Sequence, residues 1–500
     1  MRTWGEELLW GWFLSKKIKE KSLFDYAEDK QVVQVPLNMK LDFSQSVGDP
    51  MVEIGRLGLI EFCGKENFES FEELKKEVTK LFNIYTFKTS GRIGQVFSSN
   101  SKFTHNSTGK DLNERFRQSL ELYDEMTKES YSGYCLSCGQ KDNLCSVSKT
   151  IFPLTTGNSN ANFTSNFSNK FLMCKECMTS LFFAPINMQK TTGRMGFMIS
   201  NNEDINKFWS EENIDEFNAN IVKNVDSLVD SKINIFENFI YNIIEELQEE
   251  KLFGDITFYL ISNVDRGSEV NVVHITEDHM RFLHSVAPKF FKNELPTKQK
   301  DEWNYLIFKY SSLDNSGKSR TRKESVDGKA KTIKFKEEVI DNKNYKSTMK
   351  YFNPLISNFI QGKSILYYFK KNLCSWNLTA IYLKEIKGMR EERLNIIKKV
   401  ADNLQLFNED DKTFYTKFVR PIEMTKSQTE FRENLRILMR KFLSKSDRPL
   451  FTADEMVLYI LPSGESWYET KDILLIALYE KMNLNAETIE NLNEGDDEDE

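Results

Sequence analysis

The chain has 500 residues, 40% apolar and 13% aromatic, with a net charge of −7 and only 10 prolines. That length predicts two to four domains, and the composition argues for an ordered, helix-containing globular protein and not a disordered chain. Seven cysteines are too few for a disulfide scaffold, and no run approaches the ~18 apolar residues of a membrane span, so a cytoplasmic protein with no membrane partner is expected.

In chain order, the short apolar stretch Leu8 to Leu14 is followed by Lys16, Lys17 and Lys19. It predicts an amphipathic helix packed on the body, not a signal peptide. Val47-Gly48-Asp49-Pro50 is turn chemistry. It opens a helix over 51–60, with Asp49 as cap, Pro50 at the first position and Gly55 and Gly58 thinning one face for close packing. Amphipathic patterns predict further helices over 70–83 and 111–129. Residues 131–200 carry the cysteines, around a polar, Asn-rich stretch at 155–163 that predicts a loop. Residues 204–251 are helical in pattern, with Ile235, Phe239, Ile243 and Leu247 on one face. Strands are expected at 255–262 and, after a turn at Gly267, at 270–276.

Residues 311–337 have the composition of a linker or exposed loop. From Lys318 to Lys336 eight basic residues face two acidic ones, a net of +6. Residues 345–485 are mostly helical in pattern, with Ser427-x-x-Glu430 as a capping box and Phe431, Leu435, Leu438 and Phe442 on one stripe. The end is acidic: Glu494, Asp496, Asp497, Glu498, Asp499 and Glu500 supply six negative charges, and without them the net charge is −1. Net charge therefore does not exclude nucleic acid. The tail is expected to be disordered and solvated.

The expected fold class is α+β: a mixed N-terminal body with an inserted four-cysteine zinc subdomain, followed by a C-terminal helical bundle. The expected divisions are 1–130, 131–200, 201–344, 345–485 and the tail 486–500.

The chemistry is concentrated in Cys135-Leu-Ser-Cys138 and Cys174-Lys-Glu-Cys177, two C-x-x-C pairs separated by 35 residues. Each pair forms a tight knuckle, and two knuckles place four thiolates in a tetrahedron. That set suits a structural zinc ion and leaves no open position for catalysis. An iron–sulfur cluster uses the same four ligands. Cys145 is irregularly spaced and stands outside the set. Gly317-Lys318-Ser319 and Gly362-Lys363-Ser364 lack the earlier glycine of a phosphate-binding loop, since Ser312 and Ser357 stand there. His274, His279 and His284 recur at five-residue steps, which do not share one helical face. No catalytic constellation emerges, so the expected protein is not an enzyme. Candidate phosphate contacts are Lys318, Arg320, Arg322, Lys323, Lys329 and Lys331 in the basic stretch, with Lys190 and Arg194 beyond the second knuckle. Asn158, Asn160 and Asn162 are candidates for contacts to bases.

Gly48-Asp49-Pro50-Met51-Val52-Glu53-Ile54-Gly55, followed by the two cysteine pairs around an Asn-rich segment, resembles the CXXC–CXXC large subunit of type I-B CRISPR Cascade. The resemblance covers roughly residues 45–200. Met51 stands where Phe is more usual, and Glu53 where Asp is. It implies a protein at the foot of an RNA-guided surveillance complex that recognises the target-adjacent DNA motif and helps open the duplex into an R-loop. The implied partners are the other Cascade subunits, the guide RNA, target double-stranded DNA and an effector helicase-nuclease, or transposition proteins in transposon-associated complexes. It also implies that an internal start, such as Met349 or Met389, can yield a separate small subunit. The competing classes are a zinc-containing nuclease or deaminase and an adaptor that binds only protein.

Overall fold

The computed structural model describes residues 40–87, 111–141, 143–147, 171–191, 194–222, 236–264, 267–287, 298–299, 301–311, 321–326, 329–334, 352–408, 410–464 and 466–482. The chain divides into two compact units. One holds residues 1–234 and 255–274, the other residues 235–254 and 275–500.

In the first unit, strand β1 (Leu41–Asp42) pairs antiparallel with β2 (Asn67–Phe68). Between them lies helix α1 (Pro50–Cys63), which begins as the sequence predicts. The Asp49 carboxylate accepts the Met51 and Val52 N–H groups at 3.0 and 3.2 Å, and Pro50 needs no partner there. It ends at Gly64, whose left-handed φ of 67° lets its N–H reach the Ile60 carbonyl. Glu53 and Arg56 form a buried two-point ion pair (3.0 and 2.6 Å). Arg56 also donates to the Phe43 carbonyl at 2.7 Å and Glu53 accepts the Val47 N–H at 2.8 Å, so neither charge is left bare.

Helices α2 (Phe71–Phe87) and α3 (Leu112–Lys128) occupy the predicted places and are joined by Lys75–Asp124 at 2.7 Å. Strands β3 (Leu144–Val147) and β4 (Phe171–Cys174) form an antiparallel pair. Helix α4 (Lys175–Phe183) follows β4 directly and continues into a 3-10 turn, Ala184–Asn187. α4 is buried on nearly every side. Tyr85 donates to the Phe182 carbonyl at 2.7 Å, Tyr123 shares a 3.1 Å bond with Thr179, and Phe82 packs edge-on to Phe182 at 5.2 Å. The cysteine segment therefore shares one core with α1, α2 and α3.

Gly55 and Gly58 are what let α1 approach α4. A Cβ at Gly55 would stand 2.1 Å from the Ser180 carbonyl oxygen, and one at Gly58 2.8 Å from that of Phe183. Asn187 ties the junction by donating to the Ile54 carbonyl (2.8 Å) and the Ser210 hydroxyl (3.1 Å). Ser210 lies on α5 (Glu203–Val222). A four-stranded sheet in the order β5-β6-β7-β8 completes the unit: β5 (Gln189–Thr191), β6 (Arg194–Ser200), β7 (Ile256–Val264) and β8 (Gly267–Ile275). Phe197 of β6 stacks on Tyr259 of β7 at 4.9 Å. Gly267, expected as a turn, is the first residue of β8.

The second unit is mainly helical. Helices α6 (Phe236–Glu249), α7 (Glu277–Val286), α8 (Glu302–Tyr310) and α9 (Pro354–Ile360) gather around Trp303. Its ring lies 5.0 Å from Phe282 and 5.5 Å from Phe359, and its N–H donates to the Tyr241 hydroxyl at 2.9 Å. Helices α10 (Leu366–Lys371), α11 (Trp376–Glu385), α12 (Glu391–Gln405), α13 (Asp411–Phe414), α14 (Arg420–Glu423), α15 (Gln428–Leu443), α16 (Ala453–Glu455) and α17 (Trp467–Lys481) follow. Two π-helical turns, Tyr415–Val419 and Met456–Ile460, interrupt the run. The second is held by buried Arg393, which donates to the Tyr459 carbonyl and the Thr470 hydroxyl, both at 2.9 Å. Phe431, Leu435, Leu438 and Phe442 bury one stripe of α15, as their spacing predicts.

Two expectations need correction. The basic stretch 311–337, expected as a linker or loop, contains a hairpin: β9 (Thr321–Val326) pairs with β10 (Lys329–Lys334), with Lys331 opposite Glu324. Thr, Val and Ile supply strand propensity there, and Asp327-Gly328 is the composition that favours a two-residue connection. At α15, Ser427 does accept the Glu430 N–H at 3.2 Å. The return bond from the Glu430 carboxylate, however, goes to the Lys426 N–H at 2.7 Å, so the capping box is not closed on Ser427. A closed box occurs at Thr452 and Glu455.

No described helix is long and apolar enough to cross a membrane. The stretch Leu8 to Leu14, the Asn-rich loop and the acidic tail lie outside the described residues.

Candidate metal centre

The first knuckle is a backbone turn. Cys135 N–H donates to the Gln140 carbonyl at 2.7 Å, and Gly139 N–H returns to the Cys135 carbonyl at 3.0 Å. Gly139 takes φ +75°, a conformation that favours glycine. Leu136 N–H donates to the Leu172 carbonyl at 3.0 Å, anchoring the knuckle beside β4. The second knuckle forms where β4 becomes α4. Cys174 is the last strand residue and the helix N-cap, and its sulfur accepts the Cys177 N–H at 3.4 Å. Leu144 pairs with Cys174 in the β3–β4 register, so the hairpin brings the two halves of the site together.

The four sulfurs of Cys135, Cys138, Cys174 and Cys177 all lie within 4.8 Å of one another, and those of Cys138 and Cys174 are 3.6 Å apart. That is far beyond the ~2.05 Å of a disulfide, and all four thiols are free. Cys135, Cys174 and Cys177 are buried and Cys138 is exposed. Hydrogen bonds from the Cys174 and Cys177 thiols hold the Cys135 thiol well below its ordinary value. Donating to Cys135 pushes Cys174 and Cys177 well above theirs, and burial adds to the rise. Two N–H groups are aimed at sulfur, Gln140 to Cys138 at 3.5 Å and Cys177 to Cys174 at 3.4 Å. Cys145 is separate. On β3 it pairs with Met173 of β4, and burial pushes its thiol up to about 12. The site fits a structural metal ion with a complete protein shell.

One contact escaped the sequence reading. Ser137, between the two ligands of the first knuckle, donates its hydroxyl to Asp49 at 2.8 Å. Asp49 therefore caps α1 with one carboxylate oxygen and holds the knuckle with the other. The pair is 88 residues apart in sequence, and no local signal marks it.

Among the described residues the four cysteines form the one cluster able to hold a metal. The histidines have separate local partners: His274 with the Thr257 hydroxyl (3.2 Å), His279 with that of Thr276 (2.9 Å), and His284 edge-on to Phe253 (5.4 Å). Gly362 ends α9 at φ +67°, so Gly362-Lys363-Ser364 is a helix terminus. Of the candidate nucleic-acid residues, Asn158, Asn160, Asn162, Lys318 and Arg320 lie outside the described residues. Lys190 lies on β5 opposite Met195, and Arg194 on β6 opposite Thr191. Arg322 and Lys323 lie on β9, and Lys329 and Lys331 on β10.

No curated protein and no solved structure matches the chain. Residues 382–500, which comprise the end of α11 and everything after it, are similar to the DevT C-terminal domain family.

Proposed function

We propose that this chain is the large subunit of a type I-B Cascade complex, recognising the target-adjacent DNA motif and aiding duplex opening and R-loop formation. One observation carries the reading: the Ser137–Asp49 bond. The Gly-Asp-Pro turn and the first cysteine knuckle, distant in sequence, are parts of one assembled feature, as expected if the two motifs serve a common role. Residues 382–500, the part similar to the DevT C-terminal domain, fall within the helical C-terminal part that this reading expects. In this reading the protein pairs with guide RNA and the other subunits and recruits a helicase-nuclease or a transposition machine. Base pairing reads the target sequence, while the protein reads a short duplex motif and the backbone.

The bound ion in this reading is zinc. Sulfurs on a tetrahedron with arms of about 2.3 Å stand about 3.8 Å apart, close to the 3.6 Å between Cys138 and Cys174. Zinc there braces the two knuckles and does no chemistry. A complete four-thiolate shell offers no position for the water that a zinc deaminase or nuclease activates. The basic hairpin β9–β10 and its flanks, with Lys190 and Arg194, supply sequence-independent phosphate contacts. The test is co-purification from cells that express the neighbouring subunits and a guide. The chain is expected to carry guide RNA and partner subunits. Alanine at Lys318, Arg320, Arg322, Lys323, Lys329 and Lys331 is expected to weaken DNA binding uniformly and flatten its salt dependence. Isolation of the chain free of RNA and partners, or DNA cleavage or deamination by the chain alone, would overturn the proposal.

A further inference from the structure

Helix α15 presents a basic ridge. Arg432, Arg436 and Arg440 follow at four-residue steps, all exposed, while Phe431, Leu435, Leu438 and Phe442 bury another side. Arg436 reaches Glu433 at 3.3 Å. Arg432 and Arg440 have no carboxylate partner among the described residues. Further basic residues stand in the last turn of α15, Lys441, and just past its end, Lys445. Lys441 donates to the Lys417 carbonyl at 3.2 Å and stands 5.6 Å over the Phe418 ring, and Lys445 stands 5.3 Å over Phe407. Residues 426–448 hold seven basic and three acidic side chains, a net of +4.

A complementary charge exists in the same unit. Residues 483–500 hold eight carboxylates and no lysine or arginine. They leave from α17, which packs against α15. Eighteen residues extend to about 60 Å at most, well beyond the roughly 24 Å length of a helix the size of α15.

We propose that the acidic segment 487–500 docks on the Arg432–Arg436–Arg440 ridge and competes there with a nucleic-acid phosphate backbone. The docking rests on charge complementarity and reach, while the competition rests on the functional reading above. Such a guard is strongest at low salt. It yields to a polyanion held by other contacts and repels one that is not, which favours an assembled complex over stray nucleic acid.

The docking is tested without nucleic acid by zero-length carbodiimide cross-linking of the full chain. Links from Lys417, Lys441 or Lys445 to carboxylates of 487–500 are expected at low salt. They are expected to fade at high salt and in the R432A/R436A/R440A variant. Absence of these links at low salt overturns the docking. The competition is tested by neutralising the segment (Glu494→Gln, Asp496→Asn, Asp497→Asn, Glu498→Gln, Asp499→Asn, Glu500→Gln) and titrating a mixed-sequence single-stranded oligonucleotide. Affinity is expected to rise about tenfold at low salt, with the gain lost in the triple-alanine background. An equal gain in that background overturns the ridge as the site. If the links form but no version of the chain binds oligonucleotide, the docking stands, and the competition and the functional reading fall.

Discussion

Replacing Gly55 by alanine tests the packing that places the candidate metal centre. The new Cβ would sit 2.1 Å from the Ser180 carbonyl oxygen and 2.6 Å from its carbon. Both are backbone atoms of α4, so no rotamer change relieves the clash, and the helices must part by roughly an ångström. Overpacking of this kind typically costs about 1–3 kcal/mol, and contact with rigid backbone puts it at the upper end. Alanine's better helix propensity offsets about 1 kcal/mol. Separation also strains the Asn187–Ile54 bond, adding on the order of 1 kcal/mol. A net loss of about 3 kcal/mol lowers the melting temperature by roughly 6–12 °C for a unit of this size. The control is Gly48→Ala, where a Cβ meets nothing within 4 Å. Thermal melts of both variants should separate clearly. A Gly55→Ala protein that melts with the wild type would refute the close-packing argument.

Cys174→Ser should release the metal and destabilise the N-terminal unit by on the order of 4 kcal/mol, read by metal analysis and hydrogen exchange. In the wild type, acid should release the metal, because each thiolate ligand must stay deprotonated. Ser137→Ala should cost about 1 kcal/mol and Asp49→Ala somewhat more, since the second also removes the α1 cap. A double-mutant cycle with a coupling energy near zero would contradict the shared role of Asp49. Glu455 is held below the ordinary carboxylate range by Lys399 at 2.8 Å and by the Thr452 N–H. Its stabilisation is therefore present above the ordinary glutamate value and fades as pH falls through the lowered one. Glu455→Gln should remove that acid sensitivity in pH-dependent melts, a change of under about 1 kcal/mol given the half-exposed lysine.

Much of the fold was legible where signals are local. Asp49-Pro50 marked the start of α1, the apolar run at 255–262 located β7, the 3.6-residue patterns located α3 and α15, and the paired C-x-x-C spacing picked out the cysteines that converge. The two glycines of α1 announced a close approach but not its partner, because α4 lies more than a hundred residues away in sequence. The burial of α4 was hidden for the same reason. Its sequence includes Lys175 and Ser180, and only tertiary packing buries them. The β9–β10 hairpin was obscured by charge: eight basic residues read as a solvated loop, although strand pairing depends on the backbone. The π-helical turns left no pattern in the sequence, and the Arg393 bond to the Tyr459 carbonyl at the second spans 66 residues.

The claim that two knuckles close on one ion is tested most directly by X-ray absorption at the zinc edge on the purified full chain. One zinc per chain with four sulfur neighbours at about 2.3 Å is the predicted result. A shell containing nitrogen or oxygen ligands, or a folded and functional chain that holds no metal, would contradict it.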